Sequence, residues 1–503
     1  MIKENGLDLD ESLLRHGRPF SNETKDRPQK FWRMVDENTI EGSYGSTSFR
    51  TLNELLDLFI GSDSIISDSN ELFYHKIAEF LLSDMLSDKT VRCGDISLTI
   101  SSKDRVFYNL RKGNKWGSIW LWDDDLSPDQ LEKVTNDTIL GFYDAGWEIN
   151  RILPPIKMFE RLLLEKTSYW DFPDIISGEI DYNVITRAWN TFRGGRMESA
   201  RLGMCNNVFD YDLNTAYFSV LRTLPSLRFV DWIDTKKYVK DAFFGFCRCE
   251  VDIADSTPVG LCAIRVQVGK KPIRQYYPSD ENESWRTKSE IDLLKKSGLS
   301  DVDIVEGSWG IPKDNAPLAF ARVAKILEKA LKDQRCFNMA KSMCSVCWGK
   351  LASVTSSFFS PVYASYITSE IRARVTELSL LLEKHLVAIT VDGLSVCKQL
   401  PANMVSNEIG YLKERKVDKM ISLSDYYRYN KDDPPKTWSL IEDGVFIDGL
   451  SLKIPFGSSK RISPKSLSLK VLESNQFILA PPTSEDVVEL YMTTKELVPW
   501  DVW

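Results

Sequence analysis

Apolar and polar positions alternate along the chain at two periods that separate strands from helices. Up to about Leu164, short apolar runs such as ISLTI and SIWLW read as strands. TLNELLDLF and NELFYHKIAEFLL space their apolar residues like amphipathic helices, the mixture of a small α/β domain. From Asn183 to Ser199, NVITRAWNTFRGGRMES, paired glycines break a polar, basic stretch and imply a tight turn or backbone lying against a ligand. VFDYDLNTAYFSVL follows as an apolar strand that delivers a carboxylate and runs into a helix. Between Asp231 and Gly310 the pattern is mostly strand-like, with YYPSDENESW as a polar hairpin tip or loop. Leu318 to Leu351 carry the longest helical signal, with basic residues at Lys325, Lys329, Lys332, Arg335 and Lys341 and a break near Gln334 to Asn338. The helix SYITSEIRARVTELSLLLEKH then leads into the apolar strand LVAITVDGLSV, in which Asp392 precedes a glycine in the manner of a β-turn. From about Asn403 the chain is mixed, with a basic stretch, YLKERKVDK, and an aromatic one, DYYRY.

Length and composition narrow the classes. A chain of 503 residues with 43% apolar content has room for about three globular units. No stretch approaches the roughly 20 apolar residues that cross a bilayer, and MIKENGLDLDESLLRHG lacks the apolar core of a signal peptide, so a cytoplasmic protein without a membrane partner is expected. Nine cysteines lack the repeated pair spacing of a zinc ribbon and read as reduced thiols. With only three histidines, any metal site is expected to be built of carboxylates. The net charge of −8 argues mildly against a nucleic-acid partner, although an acidic protein can still carry a basic channel.

The chemistry lies in two carboxylates. Asp212 in FDYDLNTAY and Asp392 in AITVDGLS each end a strand, with a lysine-rich helix pair between them. Singly, such an aspartate is what a turn or a helix cap uses. Together they are the inventory of nucleotidyl transfer, in which two carboxylates hold two magnesium ions about 4 Å apart and lysines neutralise a triphosphate.

These segments resemble the motifs of family B DNA polymerases, especially the protein-primed branch of linear plasmids and certain viruses. FDYDLNTAY is similar to the motif DxxSLYP, which implies that Asp212 binds metal and that Tyr217 stacks under the deoxyribose as a steric gate. KSMCSVCWGK resembles KxxxNSxYGK, which implies Lys341 on the triphosphate, Ser345 and Trp348 beside the nucleotide, and Lys350 on the DNA. By the family's spacing Lys329 is a second phosphate contact. AITVDGLS resembles YxDTDS, and FRGGR resembles YxGG, which sets Phe192, Arg193, Gly194 and Gly195 against template DNA. The resemblance covers about residues 180 to 430.

The departures are specific. Ser345 stands where the family has asparagine, Trp348 and Phe192 where it has tyrosine. Aligned on a DG variant, Asp392 takes the essential second carboxylate of the third motif and Thr390 the first; the other register puts Leu394 there. In the thumb motif KxY, Ser424 faces the lysine and Tyr426, a DNA contact by this resemblance, faces the tyrosine, with Lys416 or Lys419 as substitutes. Of the exonuclease motifs, Tyr74 occupies an aspartate position, Lys133 a tyrosine position, and only Asp137 survives.

The resemblance therefore implies a mixed α/β and α+β fold: an RNase-H-like, degenerate exonuclease domain (1–165), then a connector and palm with insertion (166–310), fingers (311–352), palm (353–402), and thumb with the C-terminal region (403–503). It implies a template-directed DNA polymerase without proofreading, using two Mg2+ ions with Mn2+ as substitute. Primed template DNA, dNTPs and a terminal protein or other replication proteins are the partners implied, in a viral or plasmid replicon. The rival from another class is a degraded polymerase-like subunit for nucleic-acid binding or assembly. RNA-synthesising palm enzymes usually carry a second aspartate where Tyr217 stands.

Overall fold

The computed structural model describes residues 2–4, 28–36, 38–43, 45–67, 73, 90–93, 95–100, 107–122, 126–167, 180–254, 257–266, 274–354, 356–422, 428–430, 438–441, 444–447 and 476–478. The fold is mixed α/β, with helices and several sheets. It falls into two compact units. One comprises Met1–Arg18, Thr167–Ala324 and Cys347–Asp501, the other Pro19–Lys166, Lys325–Val346 and Val502–Trp503. No described helix is long and apolar enough to cross a membrane, and none of the eight cysteines with described side chains is in a disulfide.

The unit containing Pro19–Lys166 is built on an eight-stranded sheet. Gln29–Asp36, Thr39–Gly42 and Gly45–Ser48 form an antiparallel meander, and Asp63–Ser67 then Lys115–Trp122 add parallel to Gln29–Asp36. The helix Leu52–Asp57 makes the crossover, its N-terminus capped by the Thr51 hydroxyl, which accepts from Glu54 N at 3.2 Å. Its Leu55 and Leu56 join Phe59, Ile66, Phe73, Leu98 and Tyr108 in the core. Asp63 is buried there and accepts from the Ser118 hydroxyl at 2.6 Å and from Arg151. The segment LSPDQLEKVTND opens the helix Pro128–Asp144 through a Ser127/Gln130 capping box. Arg335 bonds to Asp144 at 2.5 Å, and a Cβ on Gly141 would stand 2.8 Å from Cys336 Sγ. In this helix Asp137 is half-buried and Lys133, one turn earlier, is exposed. Tyr74 lies outside the described residues.

The other unit holds two sheets. A five-stranded one runs in the order Ile2–Lys3, Asn282–Thr287, Phe244–Ile253, Ser300–Pro312, Val230–Asp234. Ile2 and Lys3, at the start of the chain, belong to this sheet, because they pair in parallel with Asn282 and Glu283. The tip NESW is no loop. It begins a strand buried at all six positions, within which Arg286 donates to Asn282 Oδ1 at 2.6 Å and to the Ala263 carbonyl. A helix, Lys288–Ser297, follows within the span that reads as mostly strand.

The second sheet is antiparallel, in the order Arg196–Ser199, Leu386–Val391, Gly393–Val396, Arg201–Leu213, Leu412–Ser422, Arg428–Asn430. The apolar run LVAITVDGLSV is two strands of a hairpin with Asp392 in its turn. Pairing of Arg201–Leu213 with Leu412–Ser422 slips twice, leaving Asn207 and then Val417 without a partner, and Asn207 adopts φ 53°. The helix Pro361–Leu381 starts at a proline suited to a first turn and buries Val362, Ile367, Ile371 and Val375. Tyr182–Thr191, Ala216–Leu221 and Lys288–Ser297 pack against it. The lysine-rich segment forms Ala321–Ala330 and Phe337–Ala352, broken between them.

Candidate active site

The sheet brings Asp212 and Asp392 to adjacent strand ends. Asp212 pairs with Gly393 across the ladder, and Leu213 N donates to the Asp392 carbonyl at 2.9 Å. Asp212 is exposed and Asp392 half-buried. Burial, and then the negative charge of Asp212, push the Asp392 carboxyl up to about 6. Both turns are strained. Val391 has φ 44° and Thr215, just beyond Asp212, φ 49°, a left-handed backbone that β-branched residues rarely adopt. Leu394, the competing position, is buried in the core, whereas Asp392 faces the charge of its partner.

Asp210 was not singled out in the sequence. It lies two residues before Asp212, on the same face of the strand, and accepts from the Ser395 hydroxyl at 2.5 Å. The available signal was the D-x-D spacing in a strand. Among the described residues no group of three or more histidine, cysteine or acidic side chains is placed to hold a metal.

Tyr217 follows in the helix Ala216–Leu221 and is buried, its hydroxyl without a hydrogen-bond partner. Burial and the nearby Asp392 charge push its phenol well above the usual range. Its ring lies 5.4 Å from that of Trp348, which lies 6.2 Å from Phe192, and Phe192 stacks on Trp189 at 5.2 Å and 2°. Three of the sequence-selected residues, from three separate motifs, therefore form one aromatic wall beside Asp392.

The FRGGR loop reaches the same place. A Cβ on Gly195 would stand 2.5 Å from Val391 Cγ1, so only glycine lets this backbone approach the Asp392 turn. Arg193 requires correction. Expected on DNA, its guanidinium is fully buried, donates to Thr191 O at 3.0 Å and is paired with Glu4. Arg372, from the helix Pro361–Leu381, donates to Arg193 O at 2.7 Å and Gly194 O at 3.1 Å and pairs with Glu290 at 2.9 Å. Burial opposes ionisation of Glu290, but Arg372, Arg193 and Arg286 hold it below the usual carboxylate range.

Lys329, Lys341 and Ser345 belong to the other unit, and all three are exposed. The Ser345 hydroxyl donates to Lys341 O at 3.1 Å. Lys350 is half-buried. Lys416 and Lys419 lie in the strand Leu412–Ser422, and Ser424 and Tyr426 fall outside the described residues.

No family model matches the sequence, and no curated protein matches it. The chain is similar in structure to DNA polymerases. Phi29 DNA polymerase complexed with primer-template DNA and incoming nucleotide is 12% identical, with 81% of this chain and 91% of that chain covered and a TM-score of 0.48. Phi29 DNA polymerase complexed with single-stranded DNA gives 12%, 90%, 100% and 0.47. The family B polymerase of the archaeon Pyrobaculum calidifontis gives 10%, 82%, 61% and 0.33. At these scores the likeness concerns the general course of the chain and assigns no chemistry.

Proposed function

We propose that this chain is a template-directed DNA polymerase whose transfer reaction centres on Asp212 and Asp392. The observation that carries the reading is the pairing of Asp212 with Gly393, which sets two carboxylates side by side at the ends of neighbouring strands. A pair in which burial and then the neighbouring charge raise one member gains from a bound cation, and hard carboxylate oxygens suit Mg2+. Asp212 and Asp392 would hold two Mg2+ ions, which supply activation of a 3′ hydroxyl and charge neutralisation on a pyrophosphate leaving group. Tyr217, its ring packed 5.4 Å from that of Trp348, would stack under the deoxyribose and exclude a 2′ hydroxyl. Lys329 and Lys341 offer exposed cations to a triphosphate.

In this reading the N-terminal domain guides single-stranded template without degrading it, and primed DNA is the substrate. Extension of a labelled primer with dNTPs and Mg2+ tests the function. Template-dependent extension that is absent in Asp212→Asn is the expected result. Retention of DNA by a wild-type chain that never extends it would favour the binding-subunit alternative, which the presence of Thr390 at the place of the family's first aspartate motivates. Labelled single-stranded DNA incubated with Mg2+ and no dNTPs should stay full length.

A further inference from the structure

Five successive carbonyls, from Asn190 to Gly194, are each held by a guanidinium. Arg265 donates to Asn190 O and to Phe192 O at 3.4 Å, Arg193 to Thr191 O, and Arg372 to Arg193 O and Gly194 O. Asn190 and Thr191 end the helix Tyr182–Thr191, whose last carbonyls lack helical partners, and the loop that follows has no ladder of its own, so these bonds set its course. The three arginines are buried or nearly so and need anionic partners. Glu290 serves Arg372. Glu4 serves both others: one carboxylate oxygen takes Arg265 Nε at 2.5 Å and the other takes Arg193, with the Glu4 side chain only 1% exposed. Glu4 is itself fixed by the parallel pairing of Ile2–Lys3 and by its N–H, which donates to Glu283 O at 2.9 Å.

We propose that Glu4 is a positioning residue of the active site: through Arg193 and Arg265 it holds the 190–192 carbonyls, and so places the Phe192 ring and the contact of Gly195 with Val391 beneath Asp392. The inference rests on the polymerase reading for its consequence in catalysis, but not for its consequence in the loop. Without the Glu4 charge, two buried guanidiniums repel one another across the loop they organise. Arg265 already sits below the usual arginine range through burial and the charge of Arg193. The loop then loosens, and the turn carrying Asp392 loses the surface against which Val391 is packed.

The test compares the full chain with Glu4→Gln, Glu4→Asp and the double variant Glu4→Gln with Arg265→Met. Hydrogen exchange followed by mass spectrometry reads the loop directly. In Glu4→Gln, peptides covering 190–196 and 386–396 should exchange about tenfold faster or more, because their local opening becomes easier. Primer extension, normalised to active sites, should need several-fold more Mg2+ for half-maximal rate. The double variant removes the unpaired charge and should regain thermal stability, yet keep the faster exchange and raised Mg2+ requirement, because the carbonyl contacts of Arg265 are gone. If Glu4→Gln does not fold, Glu4→Asp keeps the charge with a shorter reach and should show both effects in smaller measure.

Faster exchange confined to residues 2–4 and 282–287, or an unchanged Mg2+ response per active site, overturns the proposal. So does full recovery of both readouts with stability in the double variant. If the wild-type chain extends no primer, the polymerase reading falls, and the exchange experiment still decides whether Glu4 holds the loop.

Discussion

Gly393 stands directly across from Asp212, and a methyl group at position 393 would lie 2.2 Å from Asp212 Oδ1 and 2.6 Å from the Tyr211 carbonyl. The missing side chain at one residue makes the room for the carboxylate at the other. Gly393→Ala should therefore displace Asp212 and lower the extension rate about a hundredfold, the scale on which small misplacements act. The cost in stability should be about 1–3 kcal/mol, since a backbone oxygen also stands in the way. Active-site-normalised primer extension and thermal unfolding check both figures. Near-normal activity would mean that the Asp212 position is not critical.

Asp392 gives a signed pH dependence. Its carboxyl titrates near 6 in the folded protein, above the ordinary value near 4, so without metal the folded state binds the proton more tightly. The contribution of this group to stability is fully present below about pH 4 and is lost as pH rises to about 6, by at most on the order of 3 kcal/mol. Asp392→Asn should then melt higher than wild type at pH 7.5 without metal, while losing activity. Added Mg2+ should raise the melting temperature of wild type alone. A lower melting temperature for the variant in metal-free buffer contradicts this account.

Tyr217 separates its ring from its hydroxyl. The hydroxyl is buried without a partner, so Tyr217→Phe should be neutral or stabilising, within about 1 kcal/mol. Tyr217→Val removes the ring that packs on Trp348 and should relax discrimination against ribonucleotides by about ten- to two-hundredfold. Paired incorporation assays with dNTP and rNTP measure it, and unchanged selectivity returns Tyr217 to a packing role.

Lys341→Ala and Lys329→Ala should each raise the dNTP KM by about tenfold to a hundredfold, the range that a charge-assisted phosphate contact of about 1.5–3 kcal/mol gives. The melting temperature should hold, because both side chains are exposed. Steady-state kinetics on a fixed primed template decide the point.

The residues legible in the sequence are those whose signal is local. Asp212 and Tyr217 share one strand-to-helix segment, Asp392 sits in a turn marked by glycine, and Trp348 occupies a motif position in a helix. The supports were not legible. Glu4 meets Arg193 and Arg265 across 189 and 261 residues of chain, and nothing in a single sequence couples such distant positions. Arginine and glutamate look like surface residues until their partners are known, which is why Arg193 reads as a DNA contact and Asn282–Thr287 begins in what reads as a polar tip. The mixture of strands and helices was readable from periodicity, but the return of residues 2 and 3 to the later sheet was not, because two residues carry no period.

The paired irregularity between Arg201–Leu213 and Leu412–Ser422 implies that chain length here is constrained separately from residue identity. The residue skipped at Asn207 and the one skipped at Val417 offset each other, so that Gly203 with Ser422 and Asp212 with Lys413 keep one register. Deleting Asn207 alone leaves the opposite skip uncompensated and presses half the ladder to exchange its faces. Deleting both residues restores a continuous ladder. The double deletion should therefore be tolerated better than either single one, because length lost from one strand is then matched by length lost from the other.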